Sequence, residues 1–253
     1  MQKQTILLVD DNRDIIDFIE STLLDDYEIA RAYDGEQALE ILKNSTVHLI
    51  VSDIMMPVMD GFELCRRIKS DVELSHLPVI LLTAKNTLQA KLEGLELGAD
   101  AYIEKPFSPK HLQMQIANLL SNRNKVKDYF AKTPLAHVKS IAYTREDEQF
   151  LEKLNDIILE HITEVELDVE TLARYVNMSR PTFYRKIKAI SDLTPNELIN
   201  LTKLKKAAEL LAEGNHSIHE ITEIVGYSSA RIFTSNFQKQ FNMTPLEYSS
   251  QAR

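Results

Sequence analysis

Three things are scarce in this 253-residue chain: cysteine, net positive charge and long apolar runs. The one cysteine, Cys65, allows no internal disulfide and fits a reducing compartment. With Arg66 and Arg67 after it in a helical pattern, it reads as a core or half-buried thiol. A net charge of -9 does not advertise nucleic-acid binding, so any such function must rest on where the bases sit rather than on their sum. The run Ile6-Leu7-Leu8-Val9 is far too short for a signal or spanning segment, and nothing later approaches membrane length. The expected location is therefore cytoplasmic. The length favours two domains of ordinary size, each long enough to bury its own core.

What is present begins with an alternation of strand and helix. Strands are expected over 5–9, 28–32, 47–52, 79–83 and 101–103, the third and fourth being continuous apolar runs of the kind buried on both faces. Helix starts are signalled by Asp34 with Gln37, by Asp60 with Glu63, and by Ser108 followed by Pro109. Five such repeats within about 120 residues imply right-handed crossovers and a doubly wound parallel sheet, whose ligand site lies outside the carboxyl ends of the strands.

Four strands end on polar residues of different kinds: Asp10 and Asp11, then Asp53, Thr83 and Lys105. Taken singly, each has a plainer reading. Asp10, Asp11 and Asn12 fit a helix cap, Asp53 the turn before Met55-Met56-Pro57, Thr83 a β-branched strand position and Lys105 a solvated strand end. Taken together at one sheet edge, they form a carboxylate cluster with one hydroxyl and one ammonium beside it. Three carboxylates so close repel one another by a few kcal/mol at an effective dielectric of about 20, so they stay ionised together only around a cation. Mg²⁺ suits such a set, because it takes few carboxylates and keeps positions for water and phosphate oxygens. Ala84, small, leaves the route to Asp53 open.

The segments ILLVDDN, VSDIMMPVMDG, LLTAK and GADAYIEKPF resemble the signatures of response-regulator receiver domains, in order and at matching separations. The resemblance covers residues 1–122 and implies a flavodoxin-like five-stranded receiver fold. It implies Asp53 as phosphoacceptor, and Mg²⁺ held by Asp10, Asp11, Asp53 and the backbone carbonyl of Met55. Thr83 would hydrogen-bond the phosphoryl oxygen, Lys105 would pair with its charge, and Tyr102 would move with the switch. The role of Tyr102 stands on the resemblance alone, since an aromatic on a short strand is more often core. Pro106 after Lys105 is reminiscent of the family's cis Lys-Pro bond.

Residues 123–149 change character and read as a linker with some helix; Arg145 to Glu148 is a charged run without clear periodicity. From Phe150 onward, over 150–253, an all-α domain is expected, and it repeats. Leu172-Ala173 to Val176, the turn Asn177-Met178-Ser179 and a helix with Phe183 and Ile187 on its apolar face form helix, turn, helix. About 49 residues later the design recurs through Ile221 to Val225, Gly226 to Ser229, then Phe233 and Phe237. Asn177 and Gly226 are the residue types that tolerate a left-handed turn. The units close alike, on Thr194-Pro-Asn-Glu197 and Thr244-Pro-Leu-Glu247, both capping boxes with proline first in the helix.

Two such units joined by a helix through Leu198, Leu201, Leu204 and Leu211 resemble the AraC/XylS-type DNA-binding domain, most of all in GYSSARIFTSNFQKQFNMTPLEY. Three departures stand out: Thr222 where a small alanine usually packs, Lys203 where arginine is common, and Asn242 where glycine is usual. Between Thr171 and Ser191 the chain carries Arg174, Arg180, Arg185, Lys186 and Lys188 with no acid, and between Ile224 and Leu246 Arg231 and Lys239 with no acid. Opposite the apolar stripes, Arg180, Pro181, Tyr184, Arg185 and Lys188 would face a major groove, as would Arg231, Thr234, Ser235 and Gln238. Arg185 and Arg231 are the expected base readers, Lys188 and Lys239 the expected phosphate contacts. Tyr184 fits packing equally well.

The expectation is a phosphorylation-regulated transcription factor, not an enzyme with an outside substrate. A histidine kinase would donate the phosphoryl group, and receiver pairing would bring two DNA-binding domains onto double-stranded DNA. The alternatives are a phosphate sink or relay, and a receiver serving as a phosphorylation-independent dimerisation module. SHLPVILLTAK and DAYIEKPF, with this linker and domain order, resemble the cytoplasmic end of Bacteroidetes hybrid sensors, where the kinase is in cis. The start at Met1 fits a free regulator or an excised piece.

Overall fold

The computed structural model describes residues 3–84, 97–163 and 167–251. The chain divides into two compact units, Met1–Arg123 and Asn124–Arg253. Lys85, in one of the signature segments, lies outside the described residues.

In the first unit, β1 (Thr5–Val9), β2 (Glu28–Ala32), β3 (Leu49–Asp53), β4 (Val79–Thr83) and β5 (Ala101–Glu104) form one parallel sheet in the order β2-β1-β3-β4-β5. The doubly wound fold expected from the sequence is the one observed. Alternation along the strands sends Leu7, Val9, Ile50, Val79 and Leu81 to one core and Ile6, Leu8, Leu49, Val51, Ile80 and Leu82 to another. Helices α2 (Gly35–Asn44) and α3 (Gly61–Ser70) cover the first face, α1 (Arg13–Leu23) and the start of α4 (Pro109–Lys132) the second. Asn12, Asp34 and Asp60 cap α1, α2 and α3 through their side chains, so three of these helices start where a short polar residue satisfies an otherwise unpaired amide.

The two edges of the sheet carry different charge chemistry. At the amino-terminal edge Asp100 accepts from Lys69 Nζ at 2.7 Å, from Arg123 Nη2 at 2.9 Å and from the Val79 amide at 2.9 Å. Burial works against the charge of Asp100, but Lys69 and Arg123 outweigh it and hold the carboxyl below the usual carboxylate range. This edge is a closed ionic fastening. The candidate site lies at the other.

The second unit contains a 3₁₀ turn (Val138–Ile141) and helices α5 (Arg145–Glu160), α6 (Val169–Tyr175), α7 (Arg180–Ser191), α8 (Pro195–Glu213), α9 (Ile218–Ile224), α10 (Ala230–Phe241) and α11 (Pro245–Gln251). One core gathers Leu151, Leu154, Phe183, Ile187, Leu204, Ile221, Phe233 and Phe237. Phe130, Val138 and Ile141 belong to it as well, so residues 124–149 are part of this unit rather than a linker beside it. The signal was weak because their apolar residues are too sparse to show a period. The side chain of Thr144 caps α5, and within 145–148 Asp147 turns inward, on one stripe with Phe150, Leu151, Leu154 and Ile158. Among the described residues, no helix is long and apolar enough to cross a membrane.

Candidate functional site

Asp53 ends β3 and Thr83 ends β4, while Asp10 and Lys105 each follow directly on a strand, so all four stand at the carboxyl edge of the sheet. The order β2-β1-β3 places this edge where successive crossovers leave in opposite directions, the crevice that doubly wound sheets offer to ligands. Gly61 makes the loop after β3 possible. A Cβ there would lie 2.1 Å from the carbonyl oxygen of Asp53, and the Gly61 amide donates to the Ile54 carbonyl at 3.0 Å. The chain therefore turns back tightly beneath the aspartate. The loop tip is Val58 at φ 66, a left-handed conformation that costs a β-branched residue about 1–2 kcal/mol.

One ammonium serves two carboxylates. Lys105 Nζ lies 2.7 Å from Asp53 Oδ1 and 2.9 Å from Asp10 Oδ2. The other oxygen of Asp53 accepts from the Met55 amide at 2.9 Å, and that of Asp10 from the Asn12 amide at 2.9 Å. Asp10 and Asp53 are buried; Asp11 is exposed. Carboxylate oxygens of Asp10, Asp11 and Asp53 all lie within 4.8 Å of one another. Burial pushes the Asp10 carboxyl above its usual range despite the hydrogen bond from Lys105. Burial also opposes the charge on Lys105, but its bonds to Asp53 and Asp10 win and raise its pKa above the ordinary lysine value. Three carboxylates against one ammonium leave the pocket negative, and an all-oxygen donor set with one solvent-facing member fits a hard divalent cation.

Thr83 is buried, one residue beyond Leu82, the register partner of Asp53. Tyr102 is half-buried opposite Leu81 and packs on the core beneath α2 and α3. The Lys105-Pro106 peptide bond is cis.

In the second unit the repeat is exact in its caps. Asn177 (φ 58) and Gly226 (φ 68) make the two left-handed turns, Ser179 and Ser229 cap α7 and α10, and Asp192 (φ 64) and Asn242 (φ 57) end them. Asn242, where glycine is usual in the resembled family, thus takes the left-handed position. Thr222 fits although buried, because its hydroxyl donates to the Ile218 carbonyl at 2.7 Å. Lys203 reaches the Gly226 carbonyl at 3.5 Å.

Arg180, Pro181, Tyr184, Arg185 and Lys188 are exposed on α7, and Arg231, Ser235, Gln238 and Lys239 on α10; Thr234 is half-buried. The Lys188 ammonium folds onto the carbonyl of Asp192, capping its own helix. Lys186, one of the bases in the acid-free stretch, is 1% exposed and paired with Asp147 at 2.5 Å, so it adds nothing to the surface. Two features escaped the sequence reading. Asp147 carried a signal, its helical spacing to Phe150 and Leu151. Exposed Ile232 carried another, since it directly precedes Phe233 and cannot share its stripe.

Residues 6–117 match the response regulator receiver domain family and residues 172–251 a helix-turn-helix domain family. The chain belongs to the response regulators that couple a receiver domain to an AraC-type helix-turn-helix domain. A histidine kinase P4 of Formosa agariphila is 40% identical over 247 residues, covering 98% of this chain and 18% of that protein. A transcriptional regulator, ycf27, of Porphyridium aerugineum is 42% identical over 126 residues, 49% of this chain and 51% of that one. The chain thus spans less than a fifth of the first relative and about half of the second. Among solved structures, the chemotaxis response regulator CheY4 of Vibrio cholerae shares 32% identity over 47% of this chain and all of its own, with a TM-score of 0.45.

Proposed function

We propose that this chain is a phosphorylation-regulated transcription factor that accepts a phosphoryl group on Asp53 from a histidine kinase, in trans or in cis. The observation that carries the reading is the pocket in which Asp53 and Asp10 share Lys105 with Asp11 alongside. In this reading residues 1–122 act as receiver and 150–253 as DNA-binding domain, with 124–149 packed into the second unit. The site of action is cytoplasmic.

The chemistry follows from the held atoms. Lys105 and the Met55 amide grip one oxygen each of Asp53, fixing the carboxylate plane before a donor arrives. An oxygen of Asp53 bonds to phosphorus as the donor's phosphorus–nitrogen bond breaks, and the leaving imidazole takes a proton. Lys105 then balances the new charge and the Thr83 hydroxyl donates to a phosphoryl oxygen. Asp10, Asp11, Asp53 and the Met55 carbonyl would hold Mg²⁺, which supplies charge neutralisation to the transferring group. Recruitment of Thr83 and Lys105 alters the surface around Tyr102 and favours pairing of receivers. Two DNA-binding domains so joined engage adjacent sites with raised effective concentration. Arg180, Pro181, Tyr184, Arg185 and Lys188 then face one groove segment, and Arg231, Thr234, Ser235, Gln238 and Lys239 another.

Intact-mass measurement after incubation with acetyl phosphate and Mg²⁺ tests the acceptor. The native chain should gain one phosphoryl group and Asp53→Asn none. A native chain that stays unmodified, or a variant that gains the same mass, would remove the reading.

A further inference from the structure

Ile232 is a branched apolar side chain left 48% exposed in the first turn of α10. The buried stripe of that helix is Phe233, Phe237 and Phe241. Ile232, one residue before it, is rotated by about 100° from Phe233. Its amide donates to the Ser229 hydroxyl at 3.3 Å, so the backbone is fixed by the cap while the side chain stands outside the core. The internal repeat shows that the fold does not require an apolar group here. Aligned on the caps Ser179 and Ser229, the matching residue of the first unit is Thr182, whose hydroxyl is bonded to Ser179 at 2.9 Å. Around Ile232 the helix presents Arg231, Ser235 and Lys239, with no acid between Ile224 and Leu246.

The geometry points to Ile232 as a base-reading residue whose aliphatic side chain packs on the C5-methyl group of a thymine, next to the base contacted by Arg231. This rests on the reading of α10 as a groove helix. The first turn of a recognition helix comes nearest the base edges, and thymine alone presents a methyl group in the major groove. An exposed isoleucine loses little by leaving water for such a methyl, whereas a serine or asparagine there gains nothing from it. Burying one methyl against another is worth about a three- to tenfold gain in affinity.

The test uses the full chain and a duplex it selects from a synthetic, unmethylated random-sequence library. Each thymine is replaced in turn by deoxyuridine, which lacks only the methyl group. One replacement should weaken the native chain about three- to tenfold, and Ile232→Ala should lose the same factor on the parent duplex yet ignore that replacement. Ile232→Ser, which puts at this exposed position the hydroxyl that Thr182 carries in the first unit but without its methyl group, guards against a folding artefact and should show the same loss of thymine dependence. Native affinity in Ile232→Ala, or a thymine dependence that survives in both variants, overturns the assignment to Ile232. Selection that enriches no sequence fails earlier, and takes the groove reading and this inference down together.

Discussion

The two helix-turn-helix units agree in their turns and caps and differ in what stands behind their second helices. Behind α7 lies a charge pair sealed from water: Lys186, 1% exposed, with Asp147, 0% exposed, and the ammonium also over the ring of Phe150. The matching position of α10, counted from the caps, is Asn236, beside Tyr227, whose hydroxyl donates to Asn200. Burial pushes that phenol up to about 12, against the hydrogen bond from Asn236, so it stays neutral at any ordinary pH. The first unit is thus bolted by ions and the second by neutral groups. One turn grammar tolerates both, because the turn is set by Asn177 or Gly226 and the caps, not by what packs behind.

Breaking the ion pair should give the largest effect. Asp147→Ala strands a buried ammonium and should cost the second unit about 3–5 kcal/mol in denaturant unfolding, whereas Asn236→Ala should cost about 1 kcal/mol. Replacing both members, Asp147→Leu with Lys186→Met, should recover most of the loss. A double variant as weak as the single one would mean that the pair is irreplaceable.

The turns differ in space as well. A Cβ on Gly226 would sit 2.3 Å from the Ile162 carbonyl at φ 68, so Gly226→Ala should cost roughly 2–3 kcal/mol through clash and left-handed strain together. Asn177→Gly should be nearly neutral, within about 0.5 kcal/mol. Thermal unfolding of the two variants checks this directly.

On DNA the first unit offers Arg174, Arg180, Arg185 and Lys188 at the surface, the second Arg231 and Lys239. Arg185→Ala and Arg231→Ala should each relax the sequence preference at one position by about 1–3 kcal/mol. Lys188→Ala and Lys239→Ala should instead weaken all sequences alike and reduce the salt slope by about one. Affinity titrations over a range of salt separate the two behaviours.

A pH-dependent effect is expected at the back of the second unit, where Lys205 of α8 donates to the carbonyls of Phe130 and Thr133 and lies 4.5 Å from the Phe130 ring centre. Burial pushes its pKa down to about 8. Between that value and the ordinary lysine pKa of the unfolded chain, the unfolded state binds more protons, so this group's cost to folding is full below pH 8 and fades as pH rises toward about 10. Stability of the native chain relative to Lys205→Met should therefore rise across that window. A constant difference would show that Lys205 keeps its ordinary pKa.

The sheet and its site were legible because strand runs, caps and the four polar strand ends are local signals that agree with one another. The repeated turns were legible for the same reason. Side-chain partnership was not. Lys186 looks like one more surface base until Asp147, distant in sequence, is placed against it, and the packing of Phe130 depends on Lys205 of α8, which no local pattern announces. Ile232 was visible only as a residue out of phase with the phenylalanine stripe.

The most direct test of the account is DNA affinity of the full chain, measured on a selected duplex with and without acetyl phosphate and Mg²⁺, for the native protein and Asp53→Asn. The account predicts that the phosphodonor tightens binding of the native chain and leaves the variant unchanged. Equal affinity in all four conditions, with specific binding intact, would contradict it.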